Sequence, residues 1–208
     1  MARKFLESKI IIASHNEGKV SEIKDLLMPL GVCVLSSQDL NLPEPEETGI
    51  SFIENAGLKA KVASKLSGLP AIADDSGLSV SALGGAPGIY SARWAGENKD
   101  FNIAMSRIAD ALLMSGSFDK KAYFHCALCL SWPDGKSESV EGILPGQIVW
   151  PARGKKGFGY DPMFIPDGYT ETFGEMDPVK KHSISHRSIA YKKLIKKCFP
   201  ARQINKTN

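Results

Sequence analysis

Hydrophobic residues follow one another along the first part of the chain at the spacings of a strand, a helix and a second strand. The apolar run at 10–13 predicts a buried strand that stops at Ser14. Residues 31–35 are apolar again and predict the next strand. Between these runs, apolar residues recur at helical intervals, namely Val20, Ile23, Leu26, Leu27 and Leu30. A helix is therefore predicted over residues 19–30, and this β-α-β beginning is typical of an α/β fold.

The middle of the chain carries its own helix signals. Ser51 followed by Glu54 matches a capping box and predicts a helix to Ser67, after which a glycine and a proline end it. Residues 71–73 predict a short strand, and a pair of aspartates at 74–75 follows it. Two acidic side chains are therefore expected at a strand end.

The second half combines a helix, a hairpin and a closing helix. Helical spacing covers residues 100–114, and residues 121–132 alternate as a strand that turns at Pro-Asp-Gly-Lys into a returning strand. Ser185 is predicted to cap a final helix that reaches Phe199. Because β-α-β winding alone cannot accommodate a long hairpin, we predict an α/β fold with a mixed central sheet flanked by helices. We expect one domain over residues 1–208, without a separable linker.

Composition narrows the class of protein without naming a function. Hydrophobic residues make up 43% of the chain and charged residues 24%, which are ordinary values for a globular protein. The net charge of +3 does not call for a nucleic-acid or membrane partner. The apolar runs are shorter than the roughly 20 residues that span a bilayer, so no transmembrane segment is expected. Four cysteines without the spacing of a disulfide framework favour a reducing cytoplasm.

The polar turn between the first strand and the first helix is a candidate phosphate site. Residues 14–19 would place free backbone N–H groups and the positive end of a helix dipole at the end of a strand, with Lys19 adding charge. The segment lacks the glycine-rich P-loop pattern. Ser14 or Asn16 could equally be an ordinary helix cap in a polar turn.

Acidic side chains provide a candidate metal site. Asp74, Asp75 and the acids of the loop at 44–47 carry the hard oxygen ligands that Mg²⁺ prefers. A carboxylate beside that metal can also accept a proton from water. The alternative is that Asp74 and Asp75 only cap a turn before Ser76.

Other chemistry-bearing residues have ordinary structural explanations. Cys126 and Cys129 beside His125 could suggest zinc, but residues three apart on a strand point to opposite faces, which favours buried core cysteines. The lysines of the final helix could bind nucleic acid but are typical of an exposed helix face. Lys155 and Lys156 belong to a glycine-rich stretch at 153–161 that permits close backbone approach to a phosphate or base, although such residues are usually solvated.

Seven segments carry a more specific signal when they are taken in order. They are Ala13-Ser-His-Asn-Glu-Gly-Lys19, Glu46-Glu-Thr-Gly49, Phe52-Ile-Glu-Asn55, Ala73-Asp-Asp-Ser-Gly-Leu78, Gly84-Gly-Ala-Pro-Gly-Ile-Tyr-Ser-Ala-Arg93, Gly157-Phe-Gly-Tyr-Asp-Pro162 and Ser185-His-Arg187. Together they resemble the Ham1/RdgB family of inosine triphosphate pyrophosphatases, also called XTP/dITP diphosphatases. The resemblance runs from Ile10 to about Leu194.

The resemblance implies an enzyme that cuts non-standard purine triphosphates such as ITP, dITP and XTP to monophosphate and pyrophosphate, keeping them out of DNA and RNA. It implies two lobes with the active site in the cleft between them, a cytoplasmic homodimer, and no nucleic-acid or membrane partner. Glu47 and Asp75 would hold Mg²⁺, and Asp75 would be the general base. The substrate would be bound by Ser14, His15, Asn16, Glu17, Gly18, Lys19, Ser76, Phe158, Gly159, Tyr160, Asp161, Lys181, His186 and Arg187.

Three details extend this hypothesis. His15 stands where the family often has a small residue, typically glycine, so the local phosphate contacts are not carried over there. Inosine and xanthosine carry an oxygen at purine position 6, which donors such as Arg187 or His186 would favour over an amino group. Phe158 or Tyr160 could stack on the base, or Phe158 could be core.

Two alternatives stay open, a Maf-type pyrophosphatase for other modified nucleotides and a non-catalytic protein that binds nucleotides or nucleic acid.

Overall fold

The computed structural model of the protein describes residues 2–200. Within that range there are five α-helices and six strands. The helices are α1 (Glu17–Leu27), α2 (Phe52–Ser67), α3 (Phe101–Ser115), α4 (Pro178–Ile184) and α5 (His186–Cys198). The strands are β1 (Lys9–Ile12), β2 (Cys33–Ser36), β3 (Ala71–Val80), β4 (Lys121–Ser131), β5 (Ser137–Ile148) and β6 (Phe164–Pro166).

The six strands described in residues 2–200 form one mixed sheet in the order β2-β1-β3-β4-β5-β6. β1 pairs in parallel with β2 and with β3, and β6 closes the sheet antiparallel to β5. β4 and β5 are neighbours joined by the turn after Trp132, whose N–H donates to the carbonyl of Lys136. The predicted α/β class, mixed sheet and long hairpin are confirmed.

The chain divides into two units, each with its own core. Within residues 2–200, the first unit contains the chain up to Asp75, Cys126–Gly142 and the residues from Arg187 to Pro200, and the second contains Ser76–His125 and Ile143–His186. The core of the first unit is built around β1, α1 and α5, with buried residues such as Ile10, Leu27 and Leu194. The core of the second is rich in aromatic residues, including Phe124, Phe164 and Phe173.

Helix caps explain most helix boundaries. The Oγ of Ser51 accepts from the N–H of Glu54, so the predicted start of α2 is confirmed, and Gly68 ends this helix in a left-handed conformation. Asp100 caps α3 and Gly116 ends it, as the pattern predicted to within one residue. α1 begins at Glu17, two residues before the predicted start, because Asn16 is its N-cap.

Two elements differ from the prediction. β3 has ten residues, so Asp74 and Asp75 lie inside a strand and not at a strand end or in a turn. The apolar pattern stops at residue 73 because the strand continues with polar side chains that are buried through ion pairs. α4 was not predicted, although Asp177 before Pro178 is an N-cap and first-turn proline signal.

No helix in the described range 2–200 is long and apolar enough to cross a membrane.

Candidate active site

The polar turn after β1 has the geometry that its sequence predicted. Asn16 caps α1, its Oδ1 accepting from the N–H of Lys19 at 3.1 Å, and the Oγ of Ser14 accepts from the N–H of Asn16 at 3.2 Å. His15 turns toward the acidic loop, with its Nε2 3.1 Å from the carbonyl oxygen of Leu42. The N-terminus of an eleven-residue helix therefore begins directly after a strand, where the helix dipole favours an anion.

Lys19 is held in place by an ion pair with Asp74. The distance from Lys19 Nζ to Asp74 Oδ1 is 2.5 Å, and the Lys19 side chain remains 17% exposed. Asp74 Oδ2 accepts from Arg187 Nε at 3.1 Å and from the Cys126 thiol at 3.0 Å. Two cations and a thiol thus surround a fully buried carboxylate, which makes Asp74 a support for Lys19 and Arg187.

Arg187 is one of the most deeply buried charged residues in the described chain. It is 2% exposed, and its Nη1 donates to the carboxylate of Glu22 while its Nε donates to Asp74. Burial disfavours the charged guanidinium, but the carboxylates of Asp74 and Glu22 outweigh it and raise the pKa of Arg187 above its ordinary value. In the structure Arg187 pairs with these two carboxylates. The predicted contact of Arg187 with a purine base therefore stays a prediction.

Asp75 faces a different set of groups from Asp74, because successive side chains on a strand point to opposite faces. Lys59 Nζ lies 3.2 Å from Asp75 Oδ1 and 2.6 Å from Glu47 Oε1, so one buried ammonium bridges both carboxylates. Asn55 Nδ2 donates to Asp75 Oδ2 at 3.2 Å. The two predicted metal ligands are thus brought together from separate parts of the sequence.

Charge and burial together set the pKa values of Asp75, Glu47 and Lys59. Burial raises the pKa of Asp75 to about 6, although the ammonium groups of Lys59 and Lys19 favour its ionised form. Burial also acts on Glu47, but the Lys59 ammonium outweighs it and lowers the pKa of this carboxylate. The pKa of Lys59 is raised, because Asp75 and Glu47 overcome the effect of burial. A carboxylate with a pKa of about 6 is suited to accept a proton near neutral pH.

The donor set fits a hard divalent cation. Glu47 and Asp75 present carboxylate oxygens that already converge on one positive charge. No group of three or more His, Cys, Asp or Glu side chains able to hold a metal ion is found among residues 2–200. Two carboxylates that leave further positions to phosphate oxygens and water match the usual binding mode of Mg²⁺, and not that of a structural metal site.

The second unit contains a buried charged pair with aromatic neighbours. Lys181 Nζ lies 2.7 Å from Asp161 Oδ2 and 4.7 Å from the ring centre of Phe158. Asp161 also accepts from the N–H of Phe158 at 2.8 Å. The half-buried Phe158 is therefore tied to the charged pair by its backbone and its ring.

Two other predicted residues of the second unit have well-defined partners. Tyr160 is buried, its hydroxyl donates to the carbonyl of Ser91 at 2.8 Å, and its ring meets Phe101 edge-on. The suggestion that Tyr160 stacks on a base stays a prediction, and the packing of this ring in the core does not favour it. His186 is buried and stacks on Phe124 with ring centres 4.7 Å apart.

Sequence reasoning missed three polar residues next to the candidate groups. Asn55, Lys59 and Glu22 are all buried, and each donates to or accepts from a residue named above. Asn55 and Lys59 are four residues apart on α2, beside its apolar stripe. Polar residues at this spacing share a helix face with buried positions, and this pattern could have identified them from the sequence.

The sequence matches the profile of the Ham1 family over residues 10–197. The chain belongs to the Ham1 family. It is 55% identical to the dITP/XTP pyrophosphatase of Rhodospirillum centenum, with 95% of this chain and 98% of that protein covered. It is 51% identical to the dITP/XTP pyrophosphatase of Ruegeria pomeroyi, with 96% and 99% covered. The structure of a HAM1 protein from Coxiella burnetii is similar, with a TM-score of 0.84, 39% identity and coverage of 90% and 96%.

The role predicted for Lys19 in this Ham1 protein can be tested by removing its charge. We expect Lys19→Met to lower kcat/KM for a nucleoside triphosphate by about ten- to a hundredfold, chiefly through KM, because a charge-assisted contact to phosphate is lost. Lys24→Met is the matched control, an exposed lysine in the last turn of the same helix. Steady-state kinetics that show equal KM and kcat for both variants would remove Lys19 from the site.

Gly157 is expected to be irreplaceable for steric reasons. Its φ is +74°, and a Cβ there would collide with the carboxylate of Asp161. We expect Gly157→Ala to lower the free energy of unfolding by about 2 kcal/mol or more through backbone strain and the displaced Asp161. Gly168 also has a positive φ but open space around it, so Gly168→Ala reports backbone strain alone. Equal urea midpoints for the two variants would contradict the clash.

Proposed function

We propose that this protein is a nucleoside triphosphate pyrophosphatase that hydrolyses non-standard purine nucleotides such as ITP, dITP and XTP to the monophosphate and pyrophosphate. The observation that carries the proposal is the pair of Glu47, which is partly buried, and Asp75, which is buried, because their carboxylates share one ammonium group. This pair lies in a chain that is half identical, over nearly its whole length, to proteins named dITP/XTP pyrophosphatases.

The proposed reaction has one proton acceptor, Asp75, and one leaving group, pyrophosphate. Asp75 accepts a proton from a water molecule while the water oxygen forms a bond to the α-phosphorus. The bond from the α-phosphorus to the oxygen bridging the α- and β-phosphorus atoms breaks, and pyrophosphate leaves with that oxygen and the bonding electrons.

Glu47 and Asp75 would hold Mg²⁺. When bound, Mg²⁺ would supply positive charge that offsets the negative charge of the phosphates. Lys19 binds and orients phosphate oxygens, together with the backbone N–H groups at the start of α1. Asp74 keeps Lys19 in place through the 2.5 Å ion pair.

Base recognition is assigned to residues of the second unit and to Arg187. Phe158 offers a half-buried ring for stacking, which supplies affinity for any purine. Donors from His186, Arg187 or backbone N–H groups would favour the oxygen at purine position 6. Ser76, Gly159, Asp161 and Lys181 complete the proposed substrate contacts.

The cellular setting of the proposal rests on the resemblance. The protein would act in the cytoplasm as a homodimer and keep non-standard purines out of DNA and RNA. Its partners would be small nucleotides. The lysines of α5 give little support to a nucleic-acid role, because Lys193 Nζ donates to the carbonyl of Glu141 and Lys197 Nζ donates to that of Ser139.

Pyrophosphate release tests the proposal directly. ITP and XTP are compared with ATP and GTP at equal concentrations, once with Mg²⁺ and once with a chelator. We expect metal-dependent release that strongly favours ITP and XTP. Equal rates on all four nucleotides would favour a Maf-type activity on other modified nucleotides. Tight nucleotide binding without any release would favour a non-catalytic binding protein.

A further inference from the structure

The side chain of Asn55 connects the loop that carries Glu47 to the strand that carries Asp75. Asn55 is 1% exposed and lies in the first turn of α2. Its Oδ1 accepts from the N–H of Gly49 at 2.8 Å, and its Nδ2 donates to Asp75 Oδ2 at 3.2 Å. The orientation of the amide is unambiguous, because an N–H needs an acceptor and a carboxylate needs a donor.

The contact between the loop and α2 depends on a glycine. A Cβ at Gly49 would lie 2.7 Å from both the Oδ1 of Asn55 and the Cβ of Glu54, and 3.0 Å from the N of Asn55. These distances are too short for any other residue without a shift of the backbone. The loop is therefore pressed against the start of α2, only two residues after Glu47.

Asn55 and Lys59 hold different oxygens of the same carboxylate. Asn55 Nδ2 contacts Asp75 Oδ2, whereas Lys59 Nζ contacts Oδ1 at 3.2 Å and also Glu47 at 2.6 Å. The two side chains lie four residues apart on α2 and so project from one helix face. These contacts, with the backbone from Glu47 to Gly49, form a closed ring that includes Asn55, Asp75 and Lys59.

The two donors differ in what they do when a divalent cation arrives. The Lys59 ammonium is positively charged and competes with a cation for Glu47 and for Asp75 Oδ1. The Asn55 amide is neutral, contacts the other oxygen, and can keep its hydrogen bonds while Oδ1 binds a metal. An amide in this place fixes the carboxylate orientation in advance, which removes part of the entropy loss of metal binding.

We propose that Asn55 is a positioning residue that sets the separation and orientation of Glu47 and Asp75 for a divalent cation. This inference rests on the proposed function for its link to catalysis. Outer-shell partners of metal ligands typically affect metal affinity by about 10- to 100-fold. Asn55 acts through Asp75 and Glu47 and has no part of its own in the chemical step.

The experiment uses Asn55→Ala with Glu54→Ala as its matched control. Glu54 lies on the same helix turn and its Oε2 accepts from the N–H of Ile50, so its loss loosens the same loop without touching Asp75. The first readout is calorimetric titration of each full-length protein with Mn²⁺ alone. The second is the Mg²⁺ concentration that gives half-maximal pyrophosphate release from ITP.

We expect Asn55→Ala to raise the Mn²⁺ Kd and the half-saturating Mg²⁺ concentration by about tenfold or more, and Glu54→Ala to change both by less than about threefold. Circular dichroism establishes folding, and Asn55→Ser, whose hydroxyl is too short to reach both partners, replaces Asn55→Ala if that variant does not fold. Equal Mn²⁺ affinities for the folded Asn55 variant and the Glu54 variant would overturn the inference.

Failure of the proposed function has a separate signature. Wild-type protein that releases no pyrophosphate, or releases it equally with chelator present, contradicts the proposed enzyme whatever Asn55 does. In that case the Mn²⁺ titration still decides the role of Asn55, because it requires no turnover. A tenfold weaker Kd supports positioning and an unchanged Kd overturns it.

Discussion

Asp75→Asn is expected to reduce pyrophosphate release from ITP by a factor of about 10² to 10⁴, because it removes the proposed proton acceptor at nearly constant volume. It also removes one of the two carboxylates proposed to hold Mg²⁺. Initial rates measured at saturating ITP and Mg²⁺ test this result. The control is Asp110→Asn, which removes an equal charge from an exposed position on α3. A rate close to wild type would rule out Asp75 as the base.

The same variant is expected to be more stable than wild type in the absence of metal. The folded-state pKa of Asp75 is about 6 against an ordinary value of 3.8, so folding favours the protonated acid. Its stabilising contribution is fully present below about pH 4 and is lost as the pH rises through about 6. Asparagine cannot ionise and keeps that contribution at pH 7.5.

Urea denaturation with a chelator present checks this expectation. A pKa raised by one unit corresponds to about 1.4 kcal/mol. The free energy of unfolding of Asp75→Asn should therefore exceed that of wild type by roughly 3 kcal/mol at pH 7.5. The gain should shrink as the pH approaches 4. A variant less stable than wild type at pH 7.5 would contradict the effect assigned to burial. Lost turnover with increased stability would separate a functional role from damage to the fold.

Arg187→Met is expected to cause the largest loss of stability among the variants considered. It leaves the buried carboxylates of Glu22 and Asp74 without their shared guanidinium, and removal of one partner of a buried ion pair typically destabilises by about 3–5 kcal/mol. For a protein of this size that corresponds to a fall in Tm of about 10 °C. Differential scanning calorimetry measures the effect.

Two further variants test why Arg187→Met loses stability. Arg153 pairs with Glu175 at 3.4 Å on the surface, and Arg153→Met should change stability by less than about 1 kcal/mol. Combining Arg187→Met with Glu22→Gln should recover part of the loss, because one of the stranded charges disappears. A double variant whose loss equals the sum of both single losses would contradict the coupling of Glu22 to Arg187.

Periodicity predicted the elements whose burial is hydrophobic. The sequence indicated α2 and α3 nearly to the residue, because caps and glycine stops are local signals. It cut β3 short after residue 73, since buried aspartates carry no apolar signature. It also missed Asn55 and Lys59, whose importance depends on partners far along the chain.

The sequence by itself determined the α/β class, the hairpin and the family, because these depend on local patterns and on motifs in order. Only the tertiary structure decided what each of two adjacent aspartates does. Asp74 and Asp75 are adjacent residues of the same type, but a strand directs their side chains to opposite faces. One meets Lys19 and Arg187, the other meets Lys59 and Asn55, and these partners come from helices distant in sequence. Electrostatic environments of this kind arise only when the chain folds.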